Sequence, residues 1–263
     1  MATRRSIFPS LIVLVSLACL SPGCGQPYKG LVKPSKDLKA LSPELAEFND
    51  VVLEKVLKAE VKPSFPTVLA VAKLHRGCNW YGYHYNSEKD YPYDLETISG
   101  SEADGWLRLA KAKAESKDSA VSQVQFVNTF LTGGAPTLTN LRAAAAMVHA
   151  PLLLVYVQDD DAKEGYNDGA MAYWTIVGLF VVPGNTVGYY STCQALIVDT
   201  QTGLVYATAG AESKREENVL AGAVEIAKDR VEKRACAEAV EKLQANVREL
   251  FEEIVGKGPS DAR

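Results

Sequence analysis

The chain has 263 residues, with 28 Lys and Arg against 32 Asp and Glu and a formal net charge of −4 at pH 7. A mildly acidic balance argues against nucleic acid as the main partner. It also argues against a polybasic hold on anionic lipid.

The first element is a targeting signal. Arg4 and Arg5 precede an apolar run from Ile7 to Leu20, and Ser21, Pro22 and Gly23 follow. Charge, apolar run and small residues in that order describe a secretory signal. The run is shorter than the roughly 20 apolar residues of a comfortable membrane-spanning helix. Gly23-Cys24 resembles the lipobox at which a lipoprotein peptidase cuts, although Leu20 stands four residues before Cys24 rather than three. Cys19 is a second candidate but lies inside the apolar run. The expectation is cleavage before Cys24 and lipidation of that thiol. A plain signal peptide and an uncleaved anchor are the alternatives. Each buried methylene of an acyl chain contributes roughly 0.8 kcal/mol, so acylation such as palmitate would anchor the protein to a membrane.

Residues 1–23 are thus read as signal peptide and 24–42, rich in Pro, Gly, Lys and Ser, as a lipid-anchored tether. Residues 43–256 are read as a single domain and 257–263 as a disordered tail. Cys78, Cys193 and Cys236 remain in the mature chain. Export permits a disulfide among them and spacing does not choose a pair; buried free thiols are expected.

Ser42-Pro43-Glu44 opens a helix, with Leu45, Phe48, Val52, Val56 and Leu57 as its apolar stripe. Thr67–Leu74 reads as a central strand. An aromatic, polar excursion over 76–98 follows, then a helix from about Glu102 to Ser116 with Trp106 in it. Ala120–Leu131 alternates and reads as a second strand. Thr139–His149 is an alanine-rich helix capped by Thr137 or Thr139. Leu152–Val157 is a buried strand closed by Asp159-Asp160-Asp161, with a polar loop on to Asp168. Ala170–Val182 reads as a long central strand, with Phe180 buried. Ser191–Asp199 and Leu204–Ala209 form a hairpin across Thr200-Gln201-Thr202-Gly203. Ser213 to Glu216 fits a capping box. It opens a long helix whose apolar face carries Leu220, Val224, Ala227, Val231, Ala235, Ala239, Leu243, Val247, Leu250 and Ile254. The element order implies an α/β, three-layer-like domain. Its mixed sheet is parallel in the N-terminal part and ends in an antiparallel hairpin, before a long C-terminal helix.

The run Tyr173-Trp174-Thr175-Ile176-Val177-Gly178-Leu179-Phe180-Val181-Val182-Pro183-Gly184-Asn185 resembles the hallmark of the rhombotarget lipoprotein family. Ala195–Asp199 and Leu204–Gly210 continue the pattern, so the resemblance covers roughly the second half. It implies an exported bacterial lipoprotein of a family without an established biochemical activity. More loosely, the element order is similar to the periplasmic domains of the curli-secretion lipoprotein and of lipoproteins that activate penicillin-binding proteins.

Candidate chemistry is sparse. His75, Cys78 and His84 lie close together, but the spacing matches no common zinc pattern. Asp159, Asp160, Asp161, Glu164 and Asp168 form an acidic loop at a strand end, where α/β sheets often bind ligands; the spacing of a calcium loop is missing. No nucleophile elbow, P-loop or H-E-x-x-H is present. Neither a metal nor a cofactor is expected. Trp80, Tyr81, Tyr83, Tyr85, Tyr91 and Tyr93 make a binding surface or cover a sheet edge. The reading is an envelope lipoprotein facing the periplasm or cell exterior. Because Gly25 rather than aspartate follows Cys24, the outer membrane fits. It is taken as a non-enzymatic binding or assembly module for an unidentified envelope protein. The alternative is a hydrolase or metal-dependent enzyme using His75, Cys78 and His84 or the acidic loop.

Overall fold

The computed structural model describes residues 64–76, 93–111, 120–132 and 136–256. The helix from Ser42, the signal, the tether and the tail lie outside these residues.

Strand β1 (Thr67–Arg76) is followed by the short β2 (Asp94–Glu96), helix α1 (Gly100–Lys111) and β3 (Val121–Phe126). Then come α2 (Thr129–Thr132), α3 (Leu138–Met147) and β4 (Leu152–Tyr166). A 3₁₀ segment (Asp168–Trp174) and α4 (Ile176–Val181) lead into β5 (Asn185–Asp199) and β6 (Val205–Val219). A second 3₁₀ turn (Ala221–Ala223) opens α5 (Val224–Gly256).

The strands form one six-stranded sheet in the order β2–β1–β4–β5–β6, with β3 also pairing β1. β1 runs parallel to β3 and β4, and β4–β5 and β5–β6 are antiparallel. The mixed α/β sheet is as the sequence implies, except that β2 adds an early antiparallel pair.

Alternation along the strands gives each face of the sheet its own core, and on the α5 face a further cluster of Ala162, Val187, Tyr189 and Val219 packs on Ala227, Val231 and Ala235. Leu69 and Val71 of β1, Leu152, Leu154 and Tyr156 of β4 and Ile197 of β5 face α1 and α5. Ala70, Ala72 and Leu74, with Leu153, Val155 and Val157, face α3. The sheet is therefore the middle of three layers. Thr137 caps α3 by accepting from the Asn140 amide at 3.2 Å. With 33 residues α5 is about 50 Å long, as are the 15-residue strands β4, β5 and β6. It lies on β5 and β6 and buries Ala227, Val231, Ala235, Ala239, Leu243 and Val247. These residues belong to the expected stripe, although Leu220, its first expected member, lies before the helix.

Four expectations are corrected. Asp159-Asp160-Asp161 do not close β4: the strand continues to Tyr166, carried by a full antiparallel register with β5 from Leu152↔Asp199 to Tyr166↔Asn185. Asp159 and Asp160 are fully buried within the strand rather than part of an acidic loop. Ala170–Val182 is no strand but a capped helical tip between β4 and β5, and Phe180 is 70% exposed. The partner strand lies further on, at Asn185–Asp199. The Ser213–Glu216 box sits inside β6, because pairing with β5 holds that stretch extended, and helix starts only at Val224.

Smaller differences concern ends. β3 stops at Phe126 and residues 129–132 turn into α2. His149 follows α3 with a left-handed φ of 55°. The hairpin turn before Leu204 uses Gly203 at φ +77°, a conformation that glycine adopts freely. Asp199 Oδ1 accepts from the Thr202 amide and hydroxyl there at 2.6 and 2.7 Å.

Candidate functional site

A chain of alternating acids and bases crosses the sheet beneath α1 and α5. Residues 69, 71, 73 and 75 of β1 share the face toward these helices, so Lys73 and His75 fall where the pattern otherwise places apolar side chains. Gln158 and Asp160 of β4, and Tyr189 and Ser191 of β5, lie on the same face. Tyr156 donates from its hydroxyl to Glu102 of α1 at 2.5 Å, and Lys73 Nζ contacts Glu102 at 3.2 Å and Glu96 at 2.9 Å. His75 Nδ1 is 3.2 Å from Glu96, and its Nε2 is 2.8 Å from Asp160. Asp160 also accepts from Tyr189 at 3.1 Å and from the Gln158 amide at 3.3 Å. The buried carboxylate is thus surrounded by donors, as a buried charge must be.

The electrostatics follow from this order. Burial alone would lower the pKa of His75. The hydrogen bonds to Asp160 and Glu96, with their charges, outweigh it and raise the value to about 9. The hydrogen bond from His75, with the help of Lys73, overcomes burial at Glu96 and lowers it to about 2. At neutral pH His75 is an imidazolium with both N–H groups committed to carboxylates. It has no lone pair with which to take a proton from a nucleophile.

Gln158 and Lys73 floor a cleft of about 470 Å³ between α1 and α5. Its walls include Glu102, Arg108, Lys233 and Cys236. The volume suits a small ligand. At Gly105 the helices approach so closely that a Cβ would fall 1.9 Å from Gln244 Oε1. Burial, and then the charge of Asp160, push the Cys236 thiol upward, so it stays protonated and unreactive. The buried Cys193 and the partly buried Cys236 form no disulfide with each other.

The predicted site residues scatter. Cys24, Cys78, Trp80, Tyr81, Tyr83, His84, Tyr85 and Tyr91 lie outside the described residues. Tyr93 is 4% exposed and packs in the core facing α3, so it covers the sheet. Of the acidic run, only Asp160 joins His75. Asp159 points to the opposite face, Asp161 is 3.6 Å from Lys163, and Glu164 pairs with Lys228 at 2.5 Å. No group of three His, Cys, Asp or Glu able to hold a metal occurs among the described residues. Glu96, Glu102, Lys73 and Tyr189 were not singled out from the sequence. The available signal was a lysine and a histidine two apart on a β-rich run.

The other notable feature is the tip between β4 and β5. Asn167 closes its base: its backbone N–H donates to Gly184 O at 3.0 Å, and its side-chain amide donates to Pro183 O at 3.0 Å and to Thr186 Oγ1 at 3.1 Å. Thr175 Oγ1 caps α4 by accepting from the Gly178 amide at 3.0 Å, and it donates to Ala172 O at 2.9 Å. Tyr173 turns its hydroxyl inward to accept from Gly184 N at 2.7 Å and Asn185 Nδ2 at 2.9 Å. Gly178 is where the two helical segments touch; a Cβ there would meet the Ala172 carbonyl oxygen. Met171, Trp174, Ile176, Val177, Phe180 and Val181 point outward, each 68–82% exposed.

No protein-family model and no curated protein matches the chain, so the rhombotarget resemblance rests on the residues quoted for it. Solved structures do match. The LpoB C-terminal domain from Salmonella enterica is 15% identical, over 63% of this chain and 94% of that one, with a TM-score of 0.29. Lipoprotein GNA1162 from Neisseria meningitidis is 12% identical, over 62% and 93%, with a TM-score of 0.29. A PelC dodecamer from Paraburkholderia phytofirmans is also 12% identical, over 69% and 86%, with the same TM-score of 0.29.

Proposed function

We propose that this protein is an exported, lipid-anchored bacterial envelope protein that acts as a non-enzymatic binding or assembly module. The observation that carries the binding role is the exposed tip. Single exposed apolar side chains are ordinary, but a cluster of six large ones on one short capped segment marks an interaction site. Export and anchoring rest on Arg4, Arg5, the apolar run and Gly23-Cys24. No helix among the described residues is long and apolar enough to cross a membrane. Lipid on Cys24 would hold the domain at a membrane, the outer one where the cell has it, facing the periplasm or cell exterior. Trp80, Tyr81, Tyr83, Tyr85 and Tyr91 are the sequence's candidates for contact with an envelope protein.

The hydrolase or metal-dependent alternative draws less support. His75 has both ring nitrogens bound to carboxylates, and the cleft thiol of Cys236 is held protonated. The acid–base chain is better explained as a brace tying β1, β2, β4, β5 and α1 together.

Radiolabelled palmitate and membrane fractionation test the anchor. The wild type should take up label and sediment with membranes, and Cys24→Ala should do neither. An unlabelled wild-type protein in the soluble fraction would overturn the reading. A pull-down of the tagged lipoprotein after crosslinking in the envelope should enrich an envelope protein.

A further inference from the structure

We infer that the tip formed by residues 169–181 docks into a phospholipid bilayer, giving the domain a second membrane contact beside its lipid. The inference deepens the envelope reading and names the partner of the tip.

Charge is the first ground. From Gly169 to Gly184 the sequence contains no Asp, Glu, Lys or Arg, so burial in hydrocarbon requires no charge to be desolvated. The second ground is the disposition of polar groups. Hydrocarbon tolerates only backbone and hydroxyl groups satisfied from within. Here Thr175 and Tyr173 are turned inward onto Gly178, Ala172 and Gly184, and the Val182 amide closes onto Gly178 O at 2.9 Å. A protein interface carries roughly one hydrogen bond per 100–200 Å²; the apolar side chains this tip exposes are Met, Trp, Ile, Val, Leu and Phe, and the hydroxyl of the exposed Thr175 is committed within the tip. The third ground is the rim. Trp174 and the half-exposed Tyr166, whose ring stands edge-on to Tyr173, are the residue types that settle at the headgroup boundary. Below them Asp168, Glu164 and Lys163 are charged and limit entry to the shallow depth of about 5–10 Å typical of interfacial helices. The rim is not basic, so docking should need no anionic lipid and should vary little with salt.

The test uses the processed, full-chain lipoprotein in zwitterionic phosphatidylcholine vesicles. An environment-sensitive fluorophore is placed at Phe180→Cys on the tip or at Met147→Cys, an exposed position on α3. Nitroxide-labelled lipid should quench the tip fluorophore and leave the α3 one unaffected. Adding Val177→Asp should abolish most of that quenching without changing the melting temperature. If the protein carries no lipid, the same fluorophores are read with vesicles added at saturating concentration. A protein that sediments with vesicles while its tip fluorophore stays unquenched would overturn the inference and leave the Cys24 anchor intact. Concentration-dependent energy transfer between tip fluorophores without lipid quenching would assign the tip to a second copy instead. Photocrosslinking of the tip to an envelope protein without quenching would assign it to that protein.

Discussion

Leu152–Val157 and Ile176–Val182 are of similar length, and both are rich in Leu, Val and other large apolar residues. The first is a central strand in which Leu152, Leu153 and Leu154 are fully buried; the second carries exposed Ile176, Val177 and Phe180. What separates them is not apolarity but hydrogen bonding. β4 has a neighbour on both sides, β1 in parallel and β5 in antiparallel register. The tip has caps instead: Asn167 at its base, Thr175 at the start of α4 and the Tyr173 hydroxyl across its mouth. An apolar run with ladder partners becomes core. One whose ends are satisfied locally can be displayed.

The contrast can be sharpened first where a charge is buried in the strand. Asp160→Ala removes the acceptor shared by His75, Tyr189 and Gln158. Leaving buried donors unpaired and the imidazolium with Glu96 as its one carboxylate should cost about 3–5 kcal/mol, measured by urea unfolding. Leu154→Ala, at a fully buried position between α1 and α5, should cost about 2–5 kcal/mol by the same measurement. A loss below about 1 kcal/mol at either position would deny that β4 is the central strand of the fold.

The brace also gives the protein a pH dependence. His75 has a folded-state value of about 9 against an ordinary 6.5. Its contribution is complete below pH 6.5 and is lost as pH rises through about 9. Glu96, at about 2 against 4.5, contributes above pH 4.5 and loses that contribution as pH falls toward 2. Together they are most supportive between pH 4.5 and 6.5. The His75 part is at most about 3 kcal/mol. Melting temperatures from pH 6 to 10 should fall in the wild type and flatten in His75→Gln. Parallel curves would remove the brace from the account.

The periodicity of the chain made the layered parts legible. Leu69 to Leu74, Leu152 to Val157 and the three-to-four spacing of α5 all announce buried faces, and the structure buries them. Long-range pairing was not legible. Three consecutive aspartates are poor strand formers, and long-range pairing holds them extended, with Tyr190, Ser191 and Thr192 of β5 on one side and, for Asp159, Arg76 of β1 on the other. Ser213 to Glu216 carries a good local helix signal that register with Gly188 to Ser191 overrides. For the tip, a short continuous apolar run fits a buried strand and a short helix equally, and the caps that decide between them are single side chains. Glu96 and Glu102 could not be joined to His75 and Lys73 from sequence, because the link exists only once β2 pairs with β1 and α1 packs on the sheet.

The central claim is that the tip is displayed rather than packed, and Phe180→Ala tests it directly. At a buried strand position this change would cost about 3–5 kcal/mol. At the 70% exposed position found here it should cost no more than about 0.5 kcal/mol in urea unfolding. A loss of about 3 kcal/mol or more would place Phe180 in the core and contradict the account.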